Sequence, residues 1–223
     1  MSLLFFIIVA AGLPFLSAMS YKNIKALEAE ESNLKLAKTP IYLQSMLLQI
    51  VLCALAWFAV KNTETKIVLN SVFTLKSIGA AIGFLALALT VAGLSQKYSK
   101  QKEESTLHHL LPDTALDRAM WIIACIVAAF CEEYVYRGAL FQLMMVETNN
   151  IWIIAALLSS IIFAFGHGTQ GEKAILQIIP FTLGFHALVY ISGGLLLPMI
   201  VHFLYNVLVE ILFGKKIKED SKE

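Results

Sequence analysis

Seven long, mostly apolar runs, near residues 2–19, 41–60, 68–94, 119–145, 151–167, 174–192 and 194–213, leave this chain few choices of fold. A helix crossing a hydrocarbon core of about 30 Å needs about 20 predominantly apolar residues. In lipid, backbone polar groups must be satisfied within the segment, which favours helices. The runs therefore predict an all-α, polytopic transmembrane helix bundle of seven to eight spans. With 58% hydrophobic and 15% charged residues, the composition fits a membrane protein rather than a soluble globule. The first run, "SLLFFIIVAAGLPFLSAM", lacks the basic stretch of a signal peptide and reads as a retained span.

Net charge is +1, so no overall basic excess points to nucleic acid. The basic residues are nevertheless unevenly placed. With seven spans and the N-terminus outside, segments 20–40, 95–118 and 168–173 carry four, four and one basic residues, and the tail "GKKIKEDSKE" four. The other side carries three, Lys61, Lys66 and Lys76. By the positive-inside rule this places the C-terminus in the cytoplasm.

Cys53, Cys125 and Cys131 all fall in apolar runs, without metal-ligand spacing, and read as packing residues. The linkers "SYKNIKALEAEESNLKLAKTP" and "SQKYSKQKEESTLHHLLPDTALDRAM" are polar, and the adjacent His108 and His109 in the second read as surface residues. Connections shorten after about residue 119. The expected division is an N-terminal transmembrane region over 1–118, a core over 119–213 and a charged tail over 214–223. A polar cavity inside the membrane is expected among the last four spans.

Polar side chains that have no place in a simple membrane helix concentrate in that core. "CEEYVYRGAL" sets Glu132, Glu133 and Arg137 inside the fourth run, where each charge, if unpaired at a helix centre, costs roughly 2.5–3.5 kcal/mol. Glu133 and Arg137 are four apart and can pair on one face. Glu132 points about 100° away, with no partner on its own helix. An unpaired carboxyl in the membrane is by default a candidate for function. "FAFGHG" puts Phe163 and His167 on one face near a helix end; "PMIVHFLYNVLVE" makes a polar stripe of His202, Asn206 and Glu210. Taken singly, these residues could equally be packing groups or interhelical hydrogen bonds. Glu210, near the tail, and His186, in "TLGFHALVY", are read that way. Together, one carboxylate, two imidazoles and an amide on three spans suit hydrolysis by an activated water, because no serine or cysteine nucleophile stands out. At about 1.5 Å per residue, Glu132 falls near mid-span and His167 roughly 24 Å from the outer end of its run. The two meet only if that helix is tilted, displaced outward or begins later than its run.

In order along the chain, "EEYVYR" matches EExxxR, "FAFGH" matches FxxxH and "HFLYN" matches HxxxN. Over roughly residues 119–210 the chain thus resembles the CPBP or Abi family, which unites type II CAAX prenyl endopeptidases with bacteriocin-processing and immunity proteins. The resemblance implies a helical intramembrane protease. Glu132 would then be the general base, assisted by His167; His202 and Asn206 would hold the oxyanion; Glu133 and Arg137 would be a structural pair. It implies no metal and no cofactor. The partners would be the lipid bilayer and a peptide or protein substrate, membrane-associated or lipidated, in a bacterial cell membrane.

Three other readings compete. In a zinc-dependent variant Glu132, His167 and His202 would be ligands, although HExxH is absent. A non-catalytic immunity or scaffolding protein could keep the fold and bind a partner. A proton-coupled transporter would use the same groups as a relay, but the halves do not match as inverted repeats would.

Overall fold

The structure, a computed structural model, describes residues 2–30, 37–61, 63, 65–98 and 107–220. Among them are seven helices: α1 (Ser2–Glu30), α2 (Lys38–Val60), α3 (Leu75–Tyr98), α4 (Ala115–Glu147), α5 (Trp152–Gly166), α6 (Glu172–Ser192) and α7 (Leu196–Asp220). No strand occurs among the described residues. Short 3₁₀ turns, Leu107–Leu110 and Gly168–Gln170, precede α4 and α6. All helices except α5 are long and apolar enough to cross a membrane. The protein is a polytopic, all-helical integral membrane protein. Lys35, Lys100, Lys102 and Lys222, counted above with the basic residues of the C-terminal side, lie outside the described residues.

Apolar side chains such as Leu47, Phe58, Ile82, Ile126 and Ile211 are exposed on the outside of the bundle, as a lipid-facing surface requires. Small residues sit where helices meet: Ala56 of α2, Ala139 of α4, and Ala155 and Ala156 of α5 are fully buried. Small side chains let backbones approach closely, which matters in lipid because no hydrophobic force drives helices together.

The third apolar run is not helical from its start. Residues 65–74 are extended, and α3 begins only at Leu75. Hydrogen bonding explains the difference. Val68 and Leu69 carbonyls accept the Leu195 and Leu196 N–H groups at 3.1 and 2.9 Å, and Ser71 Oγ accepts the Leu197 N–H at 2.9 Å. The Val72 N–H donates in turn to the Ser192 carbonyl at 2.7 Å. The extended segment therefore supplies acceptors for the first turn of α7, whose N–H groups have no partner within their own helix. It also lies on the turn between α6 and α7. Gly193 adopts φ +71°, and a Cβ on Gly194 would collide with the Asn70 carbonyl, so both positions need glycine.

At the tail end of the bundle, Thr114 caps α4 in a reciprocal capping box with Asp117. Lys38 bonds the Leu111 carbonyl and Asp113, Thr39 Oγ1 donates to Asp117 at 3.4 Å, and the Tyr42 hydroxyl donates to the Leu110 carbonyl at 2.5 Å. These contacts set the start of α2 against the start of α4. His109 Nε2 meets Glu28 Oε1 at 2.6 Å, so this histidine joins the second linker to α1 rather than lying free on the surface. The side chain of His108 lies outside the described residues.

Candidate active site

Within α4, residues Glu133–Leu140 form a π-helical stretch directly after Glu132. Such wide turns are rare and recur at functional sites. Spacing in the sequence gives no sign of it. Ser159 of α5 supports the stretch by donating to the Tyr136 carbonyl at 2.8 Å. That contact accounts for one of the two serines in the otherwise apolar α5.

Glu133 and Arg137 pair as expected: Arg137 Nη1 lies 3.2 Å from Glu133 Oε1, with both side chains fully buried. The guanidinium also donates to Thr182 of α6, and lies 4.4 Å from the Phe163 ring centre and 5.1 Å from that of Phe185. A charge buried this deeply survives only when paired and hydrogen-bonded. Two aromatic faces add cation–π attraction. Arg137 thus gathers α4, α5 and α6 around one point.

Glu132 is buried beside this pair, 8% exposed. Its Oε2 lies 4.0 Å from His167 Nε2 and 3.8 Å from His202 Nε2. Its Oε1 accepts a hydrogen bond from Gln49 Nε2 of α2 at 2.5 Å. Depth is reconciled by the helix ends. Glu132 and His167 each lie fifteen residues from the ends at which their two helices connect, Glu147 and Trp152 respectively.

His167 follows the last residue of α5, and its Nδ1 lies 2.9 Å from the Phe163 carbonyl. A carbonyl only accepts, so Nδ1 carries a proton, and Nε2 is the nitrogen that faces Glu132. The Phe163 ring packs against His167 at a tilt, centroids 4.3 Å apart and planes 36° to one another, and also carries Arg137 over its face. The loop that follows is tied to α1, where Ser17 Oγ accepts the Thr169 N–H at 3.1 Å. Helix α1 thereby supports the backbone beside His167.

His202, six residues into α7, bridges the two glutamates. Its Nδ1 is 2.9 Å from Glu133 Oε1 while its Nε2 faces Glu132. Asn206 lies one turn further along α7, half-buried, and its side chain has no hydrogen bond among the described residues. Glu210, two turns on, pairs with Arg118 at 3.5 Å, in keeping with a structural role. His186 is 2% exposed and packs against Phe141, centroids 5.0 Å apart; its Nε2 has no partner among the described residues. It lines a cavity of about 260 Å³ with Arg137, Trp152 and Tyr190.

Five of the six residues singled out from sequence are thus joined by direct contacts or by separations of 4.0 Å or less, and Asn206 sits on the same helix as His202. Gln49 was missed. It lies in the first half of the chain, 83 residues from Glu132, and a lone glutamine in an apolar run carries no motif. No group of three His, Cys, Asp or Glu side chains among the described residues is arranged to hold a metal ion. The three cysteines are free.

Residues 114–208 match the family model described as type II CAAX prenyl endopeptidase Rce1-like. No curated protein and no solved structure matches the chain. The matched stretch covers a little under half of the sequence and runs from the cap of α4 to the polar stripe of α7, taking in all three motifs. Over residues 114–208 the chain is therefore similar to the Rce1-like family of type II CAAX prenyl endopeptidases, in keeping with its three motifs.

Proposed function

We propose that the protein is an intramembrane endopeptidase in which Glu132 activates a water for attack on a peptide carbonyl. The observation that carries this reading is the convergence of His167 Nε2 and His202 Nε2 on Glu132 Oε2, at 4.0 and 3.8 Å. These separations exceed direct hydrogen bonds and match those spanned by a bridging water.

The protons follow from the partners. With His167 neutral, Glu132 Oε2 and His167 Nε2 are both acceptors, and a water between them can donate one hydrogen to each. A neutral His202, donating through Nδ1 to Glu133, would present a third acceptor, which the same water could not satisfy. His202 lies between two carboxylates and is the ring placed to hold a second proton. As an imidazolium it donates from Nε2, the polarity that an oxyanion needs. Asn206 supplies the second donor. When the water attacks, its proton passes to Glu132, with His167 accepting the other hydrogen bond. Glu132 then returns that proton to the departing amine, so no covalent enzyme intermediate is required. Glu133 and Arg137 hold His202 and α4 in place without taking part in the chemistry.

The family description favours a peptide or protein substrate carrying a lipid or lying at the membrane. The short loops favour a bacterial cell membrane, by analogy with the family, and the charge distribution favours a C-terminus in the cytoplasm. The test is cleavage of a quenched peptide panel, prenylated and unprenylated, by detergent-purified protein beside Glu132→Ala. Cleavage by the parent and not by the variant supports the reading. No cleavage by the folded parent, together with an intact biological effect of Glu132→Ala in cells, points instead to a binding protein.

A further inference from the structure

The contact between Gln49 and Glu132 adds a residue from the first half of the chain to the site. Gln49 Nε2 lies 2.5 Å from Glu132 Oε1, and Gln49 is outside the stretch 114–208 that matches the family. None of the three motifs describes it. Its position on α2 is fixed from below by Lys38, Thr39 and Tyr42, which hold the start of α2 to Asp113, Asp117 and Leu110. Register between α2 and α4 is therefore set independently of the active site. Gln49 then lands at the depth of Glu132.

We infer that Gln49 is a positioning residue that orients the Glu132 carboxylate, holding Oε1 so that Oε2 is the oxygen presented to His167 and His202. The inference rests on the proposed role of Glu132 as general base. The terminal torsion of a glutamate is broad and has no strong preference of its own. A carboxylate in this pocket would otherwise turn freely and share its two oxygens among the neighbouring rings. The amide N–H removes that freedom. A glutamine suits the task because its amide donates without itself exchanging a proton. Glu132 therefore exchanges protons on the Oε2 side.

Two readouts separate this role from a mere strut between α2 and α4. In Gln49→Leu, kcat is expected to fall about 10- to 100-fold, the range for losing a hydrogen bond to a charged group. KM should stay within about twofold, since no substrate contact is removed. The second readout needs no substrate. Gln49 occupies Oε1, so its removal should free that oxygen for dicyclohexylcarbodiimide, and labelling of Glu132, read by peptide mass spectrometry, should rise several-fold in Gln49→Leu. Unchanged labelling with unchanged kcat overturns the inference, even if the variant melts at a lower temperature. If the parent cleaves no peptide, the protease reading fails, but the labelling comparison still decides whether Gln49 holds the Glu132 carboxylate.

Discussion

His202 Nδ1 lies 2.9 Å from Glu133 Oε1, so the last helix reaches the site through a residue that takes no part in the proposed chemistry. That contact makes the second glutamate of the EExxxR motif more than a partner for Arg137. It orders the imidazole whose other nitrogen faces Glu132, 3.8 Å away. The same carboxylate joins α4 to α7 and, through Arg137, to Thr182 of α6.

Removing either member of the buried pair should unfold the protein before it affects catalysis directly. Arg137→Met leaves Glu133 as a buried charge with only His202 beside it. Breaking one partner of a buried pair costs about 3–5 kcal/mol. Thermal unfolding in detergent should show a large drop in the midpoint for Arg137→Met, and a smaller one for the double variant Arg137→Met/Glu133→Leu.

The Asn206 side chain makes no hydrogen bond among the described residues, so its replacement should leave the fold intact. Asn206→Ala is expected to lower kcat about 10²–10³-fold, the cost of losing an oxyanion donor. Its melting temperature and KM should stay close to the parent's. A matching loss of stability would mark Asn206 as a packing residue instead.

Cleavage should be indifferent to chelators. Treating the parent with a strong zinc chelator, followed by metal analysis of the purified protein, checks this directly. Activity lost on chelation and restored by zinc would promote Glu132, His167 and His202 from acid–base groups to ligands.

Ser17 Oγ takes the Thr169 N–H at 3.1 Å, on the loop beside His167. Ser17→Ala should cost about 1 kcal/mol of local stability. Hydrogen exchange at the Thr169 amide should quicken while exchange in α7 does not change. Peptide cleavage should fall by a few-fold, because the His167 ring loses support from behind.

The orientation can be checked with two reporters. A C-terminal fluorescent protein that folds only in the cytoplasm should be bright, and a Lys66→Cys variant should react with a membrane-impermeant maleimide from outside intact cells. The opposite pattern would reverse the assignment of inner and outer ends.

The apolar runs alone settled the class of fold. No sequence with so many stretches of this length can satisfy its backbone in lipid except as helices. The in-register pair of Glu133 and Arg137 was equally legible, because a four-residue spacing brings side chains together whatever the surroundings. The grouping of Glu132, His167 and His202 was legible only through the three motifs, because depth along the apolar runs set Glu132 and His167 apart. The remaining features depend on contacts between segments distant in sequence. Residues 65–74 have helix-compatible hydrophobicity, yet the unpaired N–H groups at the start of α7 draw them into an extended strip. The π-helical turn after Glu132 is set by packing against Ser159 and its neighbours, not by local propensity. Gln49 reaches Glu132 only because the capped start of α4 fixes how far α2 rises beside it. Local spacing specifies what lies along one helix face, whereas only the packed bundle decides which turn of one helix stands beside which turn of another.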